Sequence, residues 1–211
     1  MYVPDHFALS DVTEVHAFLR SNVFATIAGE IGGSISFAYA PIVLDTRPEP
    51  LGGIRFHLAR ANPMAAIADG SRLRVSVMGA HAYVSPDWYA SDGLVPTWNY
   101  VAVEGMGHVR RLSDAGLKRL LSDLTVQEES LLNPKPPWTL ARVPPERLDL
   151  MLTAIAGFEL VFETLEGKAK LSQNREPSDR EGAMKGLEQR GDAASLAVAS
   201  AMANLRMRKE Q

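Results

Sequence analysis

The chain contains no cysteine. That excludes disulfides, thiolate nucleophiles, iron–sulfur ligation and thiolate zinc sites. It also lacks any apolar run near the ~20 residues that cross a bilayer as a helix. The N-terminal MYVPDHF has no basic region followed by an apolar stretch, so no signal peptide is expected there. A cytoplasmic protein with no membrane association is the expectation. Nor is positive charge in surplus. The formal net charge is −3, so the total does not announce a phosphate-backbone binder.

Several catalytic and nucleotide motifs are missing too. There is no G-x-x-x-x-G-K-[ST] phosphate loop, no G-x-S-x-G and no H-E-x-x-H. Gly105-Met106-Gly107 is followed by His108-Val109-Arg110, so a dinucleotide glycine pattern fails at its third glycine. The five histidines (6, 16, 57, 81 and 108) show no metal spacing, and no metal site is expected.

What remains is an ordinary globular composition. Of 211 residues 46% are hydrophobic, enough for one sizeable domain or one domain with an appendage. A helix is predicted over 11–22, with Asp11 as cap, Glu14 three residues on, and Val12, Val15 and Leu19 on one face. Strand patterns follow at 24–28, 34–43 and 54–58, and Gly29, Gly32 and Gly33 punctuate the first pair as a hairpin would. Asn62-Pro63 opens a short helix to about residue 69. Strands resume at 73–78 and 82–84. The stretches 100–106 and 108–112 read as a strand pair or as one strand bent at Gly105 and Gly107. Helices are predicted at 113–127 and 145–153, and a strand at 157–165. Near the C-terminus, Ser178 with Glu181 forms a capping box for one helix, and Asp192 caps another. Both helices carry little apolar surface. The last, with Leu196, Ala199, Ala203 and Met207, either packs on a partner subunit or frays. Hairpin-scale connections exclude a parallel doubly wound sheet, whose strands need long crossovers. The expected fold is α+β: a closed or partly closed antiparallel barrel with helices around it and after it.

Three segments carry candidate chemistry. Residues 81–100, HAYVSPDWYASDGLVPTWNY, hold two of the three tryptophans and three of the five tyrosines around two proline turns. Such rings are costly to leave in water, so they either close one end of a barrel or cover something flat. Residues 170–175, KLSQNR, crowd hydrogen-bonding groups directly after a strand; they are a polar clamp or a plain exposed turn. In IRFHLARANP, residues 54–63, a strand end meets a helix start. Backbone N–H groups there attract an anion and Arg60 adds a charge, against the simpler reading of a solvated arginine beside an Asn cap.

MYVPDHF, HLARANP, YVSPDWY, VPTWNY and KLSQNR, in this order, resemble the PaiB-like family, described as FMN-binding negative transcriptional regulators. The resemblance runs from Met1 to about Leu187. It implies a split β-barrel of the FMN-binding type, related to the pyridoxamine-phosphate oxidase and flavin reductase group. It also implies a homodimer with FMN in a cleft between subunits, and DNA as a further partner. On this reading residues 1–175 are the FMN-binding split barrel and 176–211 a C-terminal helical appendage. The residues that the resemblance matches to the cofactor are Arg60 and Asn62 on the phosphate side, Lys170, Ser172, Gln173 and Arg175 after the last strand, and Trp88, Trp98 and Tyr100 flanking the ring or the neighbouring subunit. The usual phosphate-side lysine has no counterpart after Asn62, where Pro63 and Met64 stand, and Arg175 or Lys170 is the candidate replacement. No catalytic residue is assigned. A flavin-dependent oxidoreductase is the alternative function, with His57, His81 or a tyrosine as proton donor; a split-barrel dimer that holds no cofactor is a third. For DNA, the basic candidates are Lys185, Arg190, Arg206, Arg208 and Lys209 on the C-terminal helices.

Overall fold

The computed structural model describes residues 1–209, with side chains through Leu205. In chain order the elements are β1 (Ala8–Leu9), α1 (Val12–Ser21), β2 (Phe24–Ile31), β3 (Ser34–Asp45), β4 (Gly53–Ala59), β5 (Arg72–Val84), β6 (Thr97–Arg111), α2 (Asp114–Glu129), α3 (Pro145–Thr153), β7 (Ile155–Lys170), α4 (Pro177–Arg190) and α5 (Ala193–Lys209). The strands form one seven-stranded sheet in the order β1-β7-β4-β3-β2-β5-β6, and β7 also pairs with β6. That extra pairing closes the hydrogen-bonded ladder into a six-strand ring, as a barrel requires.

Local chemistry explains the edges of these elements. Ile31 pairs with Ser34, leaving Gly32 and Gly33 as a two-residue hairpin loop with φ of 58° and 79°. Two positive φ angles define the turn whose twist suits a tight hairpin, and glycine adopts them without strain. Asp11 Oδ1 accepts from Thr13 N at 2.7 Å and starts α1. Ser113 Oγ accepts from Gly116 N and starts α2.

One predicted break is absent: the stretches read as 73–78 and 82–84 form one continuous strand, β5. Of the two readings of 100–112 the single strand holds, since β6 runs through Gly105 and Gly107. Ladder pairing outweighs the weak strand preference of Gly79, Gly105 and Gly107. The capping box also differs. Helix α4 begins at Pro177 with Glu176 as cap residue and no side-chain cap bond, because proline at the first helical position already supplies the required φ. The short helix after Asn62 is a 3-10 turn, Pro63–Ala66.

The chain clusters into two compact units. One comprises 16–77 and 104–165. It contains β2, β3, β4 and parts of β5, β6 and β7, with Ile27, Ile42, Ile54, Phe56, Phe158 and Leu160 almost fully buried. Alternation along β4 sends Ile54, Phe56 and Leu58 to this core and Arg55 to the opposite face, where Asp45 and Asp123 hold its guanidinium at 2.5–2.9 Å. Helix α2 buries Leu117 and Leu120 with Val43 of β3 and Leu152 of α3.

The other unit comprises 1–15, 78–103 and the chain from 166 onward. Its core joins Ala82, Val84 and Tyr89 to Ala169 and Leu171, and to Ala183, Leu187, Val198, Ala199 and Met202 of the two last helices. Thus α5 buries Val198, Ala199 and Met202 within the same chain. Of the expected stripe, Ala199 is buried, Ala203 half-buried and Leu196 exposed, and the Met207 side chain lies outside the described residues.

Candidate functional site

The aromatic segment is divided by its own backbone. After β5, Ser85 Oγ accepts from Asp87 N and starts the turn Pro86–Trp88. The Trp88 indole then lies against Gly186 of α4 and its backbone carbonyl against Gly182, and a Cβ at either glycine would overlap Trp88 atoms. Tyr89 is buried in the same core. Ser91 N donates to the buried carboxylate of Asp179 at 2.8 Å, which ties the loop to α4.

Trp98 and Tyr100 behave otherwise. Residues alternate across β6, so Trp98 and Tyr100 face one side while Thr97 and Asn99 face the other. The Trp98 ring is 54% exposed. His81 stacks near it, with centroids 6.4 Å apart and planes at 27°, and Tyr83 meets it edge-on at 6.3 Å. Met78, His81, Trp98 and Tyr100 line a shallow, largely apolar hollow of about 230 Å³.

On the opposite side of β6 stands the polar hook that follows β7. Ser172 has φ of 61°, the one positive φ among the described non-glycine residues. That conformation is rare for a residue with a Cβ and persists only where its surroundings hold it. Here the holding group is Asn99, fully buried at 0% exposure. Its Nδ2 donates to Ser172 Oγ at 2.9 Å, and Ser172 Oγ donates back to Asn99 Oδ1 at 3.2 Å. The same Nδ2 lies 3.4 Å from the Met202 sulfur of α5. Gln173 folds onto its own backbone: Oε1 accepts from Leu171 N at 2.7 Å and Nε2 donates to Ala169 O at 2.5 Å.

With the turn fixed, its cations are set in place. Lys170 Nζ donates to Thr97 Oγ1 and to Trp98 O. Arg175 lies over the Tyr89 ring at 5.6 Å. Lys168, only 8% exposed, donates to Tyr2 O and lies over the rings of Tyr2 and Tyr100 at 5.6 and 5.4 Å. Burial first, then the like charges of Lys168 and Arg175, hold the Lys170 ammonium below the usual lysine range. A cavity of about 50 Å³ opens among Thr97, Asn99, Lys170, Ser172, Asn174 and Arg175.

The residues matched to the phosphate side belong to the other unit. Arg60 Nε donates to Thr153 O at 2.7 Å and lines a hollow of about 370 Å³ with Asp114, Lys118, Asp149, Leu152 and Thr153. Lys118 pairs with Asp149 there at 2.8 Å. Asn62 is spent as a cap, its Oδ1 accepting from Met64 N. Of the nine expected residues, then, Lys170, Ser172 and Arg175 share one cavity, and Trp98 and Tyr100 share a second. Trp88 and Gln173 are engaged in shaping the frame. Thr97, Asn99, Lys168, Met78 and His81 join these places without having been singled out as ligand-binding. A buried asparagine inside VPTWNY was the available signal, since a strand buries an amide only with a partner.

Residues 1–164 match the family described as "Putative FMN-binding domain". The chain belongs to this FMN-binding family. FMN is its cofactor. The hook and both last helices lie beyond the family-matched span. The PaiB-like resemblance extends further. "Protease synthase and sporulation protein PAI 2" of Bacillus subtilis is 29% identical over 180 residues, covering 85% of each chain. Among solved structures, the FAD and heme binding protein of Mycobacterium smegmatis aligns with a TM-score of 0.57 at 16% identity, over 77% of this chain and 73% of that one. The flavocytochrome Anf3 of Azotobacter vinelandii aligns at 0.54 and 16%, over 80% and 72%. At such identities these two establish the shared split-barrel-type fold.

Proposed function

We propose that this chain works as a homodimer of the PaiB-like type, holds FMN between its subunits, and uses it to lower transcription. The observation that carries the flavin part is the pairing of a bare aromatic hollow with a cationic hook. Trp98 and Tyr100 would cover the ring system, and Lys170, Ser172 and Arg175 would meet polar or anionic groups. Trp88 and Gln173 hold the frame. Flavin bound there supplies one- and two-electron chemistry, while the chain supplies orientation and electrostatics.

The two subsites face opposite sides of β6, which suits a shared cleft: rings from one protomer, hook from its partner. The sheet supports a second copy as well. Phe24, Ile35, Phe37 and Tyr39 lie on one face of the β2–β3 hairpin and are all more than 60% exposed. A contiguous apolar face of that kind marks an interaction surface.

The regulatory part rests on the family resemblance. Lys185 is paired with Glu181 and Arg190 with Asp192, so these two do not present a free basic row to DNA. The side chains of Arg206, Arg208 and Lys209 lie outside the described residues. One observation favours an oxidoreductase instead: a second reactant can reach a ligand on the exposed Trp98 hollow, where His81 offers a titratable group.

One set of measurements separates these readings. Purified protein should be yellow and should retard its own promoter fragment in preference to random DNA, with strong salt dependence. Rapid bleaching by NADH or NADPH with turnover to an acceptor, and no promoter preference, would establish the enzyme. Colourless protein that ignores added FMN would reject both.

A further inference from the structure

Lys168, Lys170 and Arg175 gather within one turn and one strand end, and among the described residues none of them pairs with a carboxylate. Partly buried cations are normally paired, because desolvating a charge is costly. The hollow around Arg60 makes the contrast plain. Two cations, Arg60 and Lys118, stand there with two carboxylates, Asp114 and Asp149, so it is balanced without a ligand. The hook carries an uncompensated positive charge beside a cavity.

That cavity is also built rather than incidental. Its floor is the buried pair Asn99 and Ser172, held in a left-handed turn that an ordinary exposed loop has no need to adopt. Ser172 Oγ is bonded both ways to Asn99, so the turn keeps its shape with or without a guest. Its volume of about 50 Å³ admits a few waters or one tetrahedral group and is far below the ~300 Å³ at which pockets for whole cofactors begin. The Asn99 amide is anchored in turn by Met202, so α5 helps to hold the turn.

We propose that the pocket of Thr97, Asn99, Lys170, Ser172, Asn174 and Arg175 is a preorganised subsite for a small oxyanion, a dianionic phosphate by preference. Lys170 and Arg175 supply the charge, and Asn99 is a positioning residue that keeps them aimed. The phosphate has two sources: the tail of FMN, or a separate phosphorylated ligand beside the flavin. The first source rests on the flavin reading above; the subsite itself does not.

The test uses full-length protein stripped of bound small molecules. Inorganic phosphate binding is followed by titration calorimetry, and FMN and riboflavin binding by flavin fluorescence. Wild type is compared with Arg175→Gln and Lys170→Met, each first shown to unfold within a few degrees of wild type. Phosphate binding should be saturable in wild type and weaken at least about tenfold in either variant, the loss expected for one charge-assisted hydrogen bond. If FMN weakens likewise, riboflavin does not, and phosphate competes with FMN, the flavin tail is the occupant. If phosphate alone weakens and both flavins are unmoved, a separate phosphorylated ligand is the occupant. Wild type that binds phosphate but no flavin keeps the subsite and sinks the flavin reading. No phosphate binding in wild type, or equal binding in wild type and both variants, overturns the subsite while leaving flavin binding to stand on its own result.

Discussion

Asn99 shows how one buried side chain governs a site that it barely touches. Its amide satisfies Ser172, and Ser172 sets the turn from which Lys170 and Arg175 project. Asn99→Ala leaves the Ser172 hydroxyl buried without its partner, which should cost about 1–3 kcal/mol and lower the thermal midpoint. Ser172→Gly keeps the positive φ available but leaves the buried Asn99 amide without its hydroxyl partner, so a loss of the same order is expected, readable by denaturant titration. His57 makes a second residue-scale case. Its Nδ1 is buried without a hydrogen-bond partner among the described residues, and burial holds the ring below the ordinary histidine range. As pH falls, the unfolded chain therefore takes up the proton first. This contribution to stability is complete above the ordinary value near 6.5 and is lost progressively below it, toward the folded pKa. Unfolding midpoints measured at pH 7.5 and 5.5 should differ less in His57→Gln than in wild type; an unchanged difference would remove His57 from the account.

At the scale of elements, α4 and α5 are the part least legible in the sequence. Read alone they are polar or small-residue helices with few large apolar side chains, and a separate appendage over 176–211 is the natural expectation. Their packing depends on smallness. Gly182 and Gly186 let α4 approach Trp88, and Ala183, Ala199 and Val198 fill the shallow space left. Gly186→Ala should lose about 1–3 kcal/mol through overpacking, visible as a lower midpoint and altered tryptophan fluorescence. Trp88→Leu makes room, so the double variant should lose less than the sum of the two single losses. The strands were legible by comparison. Strand patterns punctuated by Gly29, Gly32 and Gly33 announced β2 and β3, and the strand expected at 157–165 lies within β7. The continuity of β5 was not announced, and that of β6 was one of two readings, because a glycine within a strand reads as a break until its ladder partners are known.

For the whole molecule, the exposed face of Phe24, Ile35, Phe37 and Tyr39 is the feature with the largest consequence. Phe37→Glu together with Tyr39→Lys should give a monomer by sedimentation while leaving the buried ring of strands intact. On the shared-cleft reading, that monomer should bind FMN at least about tenfold more weakly, an effect of about 1.4 kcal/mol; flavin retained at full affinity on a clean monomer would reject the shared cleft. Composition and local pattern were enough to determine the antiparallel barrel class, the absence of thiol chemistry, and the segments where rings and hydrogen-bonding groups concentrate, because these follow from residue type and short-range periodicity. Which rings lie bare and which are buried, that Gln173 turns inward, and that Lys168, Lys170 and Arg175 meet without a carboxylate among the described residues were decided only by tertiary structure. Those outcomes turn on which neighbours reach each side chain across strands and helices far apart in the chain, and desolvation and pairing act on that neighbourhood rather than on the sequence around each residue.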